Sequence, residues 1–117
     1  MRDWTIETAG TQDVAVLLFP RFSNHCLANA VEPLRAANDL LMREVYRWRF
    51  VTLDGAGGSS SSGLPVVPNS SLRDHPGGDF LFGMSSYDMR RFATPQTARA
   101  LSAAARRFPT IAGMDTG

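Results

Sequence analysis

The sequence predicts an α/β fold built on a mostly parallel sheet, and three observations predict it. Apolar runs at 14–19, 79–84 and 110–114 read as strands buried on both faces. Segments 24–42 and 95–108 place apolar residues at helical spacing. The order β-α-β-(β-β)-β-α-β puts a helix between apolar strands, which parallel pairing with right-handed crossovers requires. With 117 residues the chain forms one domain at most, large enough for a core but small for a doubly wound sheet.

Composition excludes several function classes. A net charge of +1 leaves no electrostatic footprint for nucleic acid or an anionic membrane. The single cysteine, Cys26, rules out an internal disulfide and fits a reducing compartment. Residues 1–7 lack the apolar core of a signal peptide, and no run is long enough to cross a bilayer. The expectation is a cytoplasmic protein without membrane contact.

The elements follow in order. Residues 1–12 are polar and read as a lead-in. The first strand, 14–19, is closed by Pro20, and Ser23 is placed to cap the helix that follows. In that helix Leu27, Ala30, Val31, Leu34, Ala37 and Leu41 form the apolar face, with Glu32, Arg35 and Asp39 outside. Pro33 removes a backbone bond and should kink it. Residues 46–53 begin with alternation and end apolar, which suits a second strand nearer the sheet edge. The glycine- and serine-rich stretch 54–63 reads as a turn or mobile loop; no Lys-Ser/Thr pair follows to make it a phosphate cradle. Residues 64–68 carry two prolines and form at best a short edge strand. Residues 69–78 read as irregular, with one helical turn at 70–74.

After the third strand, Ser85-Ser86 leads into a short helix at 87–92. Thr94-Pro95 is a helix start, a capping hydroxyl followed by proline at the first helical position. Ala98, Leu101, Ala105 and Phe108 would face inward, and Pro109 ends the helix. The last strand, buried in this reading, runs into a glycine-flanked turn with Asp115 at its tip. Strand, sharp turn and helix is how α/β folds present a reactive side chain at the carboxyl edge of a sheet.

Three segments together resemble a known family: the opening strand and helix with Glu32-Pro33-Leu34-Arg35-Ala36-Ala37-Asn38, then Tyr46-Arg47-Trp48 leading to Leu53-Asp54-Gly55, then Ser60-Ser61-Ser62-Gly63-Leu64. From about residue 13 to 117 the chain resembles the amino-terminal sensor domain of GlxA-like AraC-type transcriptional regulators, of the ThiJ/PfpI or class I glutamine amidotransferase-like superfamily. The resemblance implies a flavodoxin-like three-layer α/β/α sandwich that breaks off after the elbow strand. It implies a homodimer, and a helix-turn-helix domain elsewhere that makes the DNA contact. Within the branch, the pattern is similar to regulators that sense quaternary amines or arginine-like metabolites.

The superfamily's enzymes carry a cysteine at the elbow tip, a glutamate early in the first helix and a glycine pair after the middle strand. A thiolate attacks, the carboxyl shares its proton, and exposed amides stabilise the oxyanion. Matched to this sequence, the tip is Asp115, the glutamate position is Cys26 and the glycine pair is Ser85-Ser86. An aspartate nucleophile needs a base, and His25 and His75 lack partners at informative spacing. No second ligand stands near either histidine for a metal, and no cofactor is expected. Cys26 reads first as a small buried hydrophobe, with a redox role as the sharper alternative. Arg90-Arg91 and Arg106-Arg107 read as solvated helix faces, and Tyr46, Trp48 and Phe50 as strand packing.

The expected function is therefore a non-catalytic sensor for a small-molecule effector, with Asp115, Ser85, Ser86, Cys26 and His25 at the ligand site. A catalytic amidase or hydrolase of the same superfamily and a vestigial dimerisation module are the alternatives.

Overall fold

A computed structural model describes residues 10–84 and 94–114. Its centre is a five-stranded parallel sheet in the order β5-β2-β1-β6-β7. The strands are β1 Gln12–Leu18, β2 Tyr46–Thr52, β5 Ser70–Ser71, β6 Phe80–Met84 and β7 Thr110–Met114. Two helices, α1 Asn24–Leu41 and α2 Pro95–Ala105, supply the crossovers β1–α1–β2 and β6–α2–β7. The short strands β3 Gly58–Ser59 and β4 Pro65–Val66 pair antiparallel outside the main sheet. The parallel α/β expectation holds, with the strands at 14–19, 79–84 and 110–114 as direct neighbours.

Alternation along β1 divides the core between two faces. Val14, Val16 and Leu18 point to one face, where Leu27, Ala30, Val31 and Leu34 of α1 cover them. Ala15 and Leu17 point to the other, where Ala100, Leu101 and Ala104 of α2 meet them with Phe108. Every residue from 14 to 19 is buried, as a central strand covered on both faces requires. Tyr46, Trp48 and Phe50 join the α1-side cluster, so the strand-packing reading of these aromatics stands.

Both helix starts follow the sequence signals. Ser23 Oγ accepts the Cys26 N–H at 3.2 Å, and Thr94 Oγ1 accepts the Thr97 N–H at 3.1 Å with Pro95 in the first turn. On the outer side of α1, Arg35 pairs with Glu32 at 2.8 Å and Asp39 at 2.6 Å. These exposed pairs contribute little to stability.

Five expectations need correction. Leu41 is half exposed, and Leu40 and Met42 beside it are exposed too, so the apolar face of α1 stops short of its last turn. Ala98 and Ala105 are exposed; the buried stripe of α2 is Ala100, Leu101 and Ala104. Ser70-Ser71 is not a helical turn but an edge strand, aligned by Asn69: the Asn69 N–H donates to the Phe50 carbonyl at 2.7 Å and its Oδ1 accepts the Phe50 N–H at 2.8 Å. β7 is an edge strand, so Ile111 stays 47% exposed. Finally, 54–63 is pinned rather than mobile: Ser60 is buried, its Oγ accepts the Leu64 N–H at 3.1 Å, and the Ser61 N–H donates to the Phe22 carbonyl at 2.8 Å. The helix expected at 87–92 and the lead-in 1–9 lie outside the described residues.

His75 and Arg107, read from sequence as unplaced and solvated, instead knot the amino end of the sheet. His75 is buried, its Nδ1 accepts the Gly77 N–H at 3.1 Å, and its ring stacks on Phe108 at 5.6 Å. Gly77 has φ +118°, and a Cβ there would stand 2.7 Å from the Arg107 carbonyl oxygen. Only glycine fits that turn.

Burial holds the His75 pKa below its usual 6.5, helped by Arg49 and Arg107 and opposed by Asp13. The folded protein therefore resists a proton that the unfolded chain accepts. This contribution to stability is complete above about pH 6.5 and is lost as pH falls from there through the lower folded value. Denaturant midpoints measured from pH 7.5 downward should fall across that window, and His75→Gln should flatten the slope. An unchanged slope in His75→Gln would rule the histidine out as the source.

Candidate functional site

The strand order identifies the crevice to examine. The chain starts at central β1, moves to β2 on one side, then crosses to β6 on the other. The carboxyl ends of β1 and β6 therefore bound a topological switch point, the usual ligand position in open α/β sheets. The register pairs Leu18 with Met84, and the Phe19 N–H donates to the Met84 carbonyl at 3.3 Å. Beyond β1, the loop 19–23 carries Arg21 at φ 63° and delivers Ser23 to cap α1.

His25 and Cys26 stand in the first turn of α1, so the structure places both at this edge. His25 is exposed. Cys26 is half buried and packs against the α1-side core cluster, which favours the small-hydrophobe reading of its thiol. Ser85, Ser86 and Asp115 lie outside the described residues. Their positions follow directly on β6 and β7, whose last residues Met84 and Met114 are register partners at the same edge. Trp48 pairs with Val14, four residues before the end of β2, which sets it under α1 and away from the carboxyl edge.

Two residues to which the sequence assigned no role, Asn24 and Ser62, also stand at this edge. Asn24 Nδ2 donates to Ser62 Oγ at 2.5 Å, tying α1 to the serine-rich loop, while Asn24 Oδ1 is buried with no partner among the described residues. Behind the β1–α1 loop lies a cavity of about 130 Å³ lined by Phe19, Phe22, Thr52, Asp54 and Val66 among others. Among the described residues no three His, Cys, Asp or Glu side chains gather as a metal site, and no helix is long and apolar enough to cross a membrane.

Comparison with known proteins completes the description. No family model matches the chain. A ThiJ/PfpI family protein from Pseudomonas syringae superposes with a TM-score of 0.67 at 18% identity, over 89% of this chain and 42% of that one. An AraC family transcriptional regulator from Pseudomonas putida gives 0.64 at 23% identity, over 87% and 63%. The chain has the ThiJ/PfpI fold. In sequence it is similar to the HTH-type transcriptional regulator GbdR of Pseudomonas aeruginosa, 35% identical over 106 residues. It is also similar to the HTH-type transcriptional regulator CdhR of the same species, 36% identical over 107 residues. The matches cover 91% and 92% of the domain but only 29% and 32% of those proteins, so it spans about a third of their length.

Within this fold the segment ending at Asn38 has a concrete task. Asn38 Oδ1 accepts the N–H groups of Val45 and Tyr46 at 2.8 and 3.0 Å, and its Nδ2 donates to the Tyr46 carbonyl at 2.9 Å. One amide thus fastens the end of α1 to the start of β2. The signal available in sequence was an asparagine in the last helical turn, a residue type that commonly bonds nearby backbone.

Proposed function

We propose that this domain is the non-catalytic, ligand-sensing and dimerising part of an AraC-type transcriptional regulator, and that its effector is a small amine-bearing metabolite. The observation that carries this is the identity of over a third, along nine-tenths of the chain, with two HTH-type regulators. The likeness to ThiJ/PfpI proteins supports the fold and not their chemistry.

The effector would sit at the switch point, against Asp115, Ser85, Ser86 and the first turn of α1 with His25 and Cys26. An elbow aspartate in an apolar setting needs a compensating charge, and a cationic amine provides one. Asn24 Oδ1, buried with no partner among the described residues, supports an amine that carries N–H groups, because it is an acceptor without its donor. With Asp115, Cys26 and Ser85-Ser86 at the positions of the enzymatic cysteine, glutamate and glycine pair, acyl-transfer chemistry lacks its nucleophile and proton partner. Effector binding biases one dimer arrangement over another, and another region of a longer cytoplasmic protein carries the DNA contact.

Titration calorimetry of the purified protein with glycine betaine, carnitine, choline and arginine tests the reading. At least one cation should bind, and Asp115→Asn should weaken it, for an N–H-bearing cation such as arginine by about 1.5 kcal/mol or more, the worth of a hydrogen bond to a charged group. Binding of only neutral or anionic compounds, or unchanged affinity in Asp115→Asn, would overturn it.

A further inference from the structure

We propose that the groove between α2 and the carboxyl ends of β2 and β5 is a second ligand site, for a small organic anion with a carboxylate or phosphate head and an apolar body. The groove has a volume of about 540 Å³, within the range of small-molecule pockets. It lies on the α2 face, where Leu53, Leu72 and Ala100 belong to the core cluster or pack against it. The effector site proposed above is built on α1, which covers the opposite face.

Among the described residues, three guanidiniums line this groove, from Arg73, Arg99 and Arg107, against one carboxylate, Asp54. Asp54 Oδ1 is already engaged, accepting the Ala56 N–H at 3.0 Å. Arg73 and Arg99 are exposed and pair with no carboxylate among the described residues. Arg107 is held differently. Its Nη2 donates to the Leu72 carbonyl at 2.9 Å and its Nη1 to the Ala103 carbonyl at 3.4 Å, which fixes the fork between β5 and α2. Its Nε–H is buried with no acceptor among the described residues.

A buried donor on a charged group is costly without a partner, and an oxyanion supplies one. The planar fork of arginine matches carboxylate and phosphate geometry, and Arg73 and Arg99 bring the lining to three positive charges against the one negative charge of Asp54. The leucine and alanine floor accommodates an apolar body. A bare inorganic ion would leave that floor uncovered.

The test is calorimetric titration of the purified protein with phenyl phosphate, inorganic phosphate, hexanoate and hexanol. Phenyl phosphate and hexanoate should bind, phenyl phosphate more tightly than inorganic phosphate, and hexanol should not. The double variant Arg73→Gln/Arg99→Gln changes only exposed side chains and should weaken the anions at least about tenfold, while Arg106→Gln, outside the groove, should change nothing. Asp115→Asn should leave anion affinity intact, so failure here and failure of the amine reading are told apart. The proposal is overturned by absence of saturable anion binding, by equal affinity for phenyl phosphate and inorganic phosphate, or by double-variant affinity equal to the parent's. Duplex DNA that competes with the anions, and is lost in the double variant, would also overturn it by making these arginines a nucleic-acid contact.

Discussion

Replacing Phe108 by alanine is expected to destabilise the domain by about 3–5 kcal/mol, the range for removing a large buried aromatic. The ring is 2% exposed and shares its cluster with Ala15, Leu17, Phe19, Val51, Leu72, Leu81 and Ala104. It stands where α2 has ended and β7 is about to begin, so it closes the core at the amino end of the sheet. Its face lies against His75, the rings tilted by 27°. Deleting it forfeits the transfer free energy and leaves a cavity, because Gly77 and Arg107 lock the adjoining backbone against collapse. A domain with a stability of about 5–15 kcal/mol would lose a large fraction of it. Urea denaturation at pH 7.5 measures the loss directly. The same variant opens His75 to water, so the acid-side fall in stability should become shallower. A loss below about 1.5 kcal/mol would show that the site relaxes, contrary to this account.

Asn38→Ala is expected to cost about 2–4 kcal/mol, more than an ordinary helix-surface change. Three hydrogen bonds vanish together, and two of them leave the backbone N–H groups of Val45 and Tyr46 without their acceptor. Val45 is buried, so water cannot freely replace the lost partner there. The turn also sets the register of β2, whose Tyr46 pairs with Gln12 in β1. Asn38→Asp separates the contributions, since it keeps an acceptor for both N–H groups and loses only the bond to the Tyr46 carbonyl. Aspartate should therefore be the milder change, and amide exchange at Val45 and Tyr46 should quicken in the alanine variant alone. Equal effects of the two substitutions would place the stabilisation elsewhere, in packing rather than in the amide.

Much of the scaffold was legible because its signals are local. Six consecutive apolar residues closed by Pro20 can satisfy water only by being covered on both faces, and that makes 14–19 a central strand. Ser23 and Thr94-Pro95 mark helix starts through chemistry confined to one turn. Such signals placed the crossovers, and the crossovers placed His25 and Cys26 at the carboxyl edge. The inward phase of α2 was not legible, because alanines at 98, 100, 103, 104 and 105 are nearly equal in hydrophobicity and only contact with the sheet distinguishes them.

By itself, then, the sequence determined the four longer strands and the two helices between them, their parallel pairing, and which positions follow the ends of β1, β6 and β7. Tertiary structure alone decided what depends on residues far apart in the chain. Ser70-Ser71 has no apolar signal and becomes a strand only because β2 offers it an edge. His75 is buried only because Phe108 lies over it, 33 positions later. Arg107 reads as a solvated helix-end charge until the Leu72 carbonyl, 35 positions earlier, is brought within 2.9 Å of its fork. A hydrogen bond or stacking contact acts over a few ångströms of space, whatever the separation along the chain, so the groove formed by positions 73, 99 and 107 exists only once the sheet has closed.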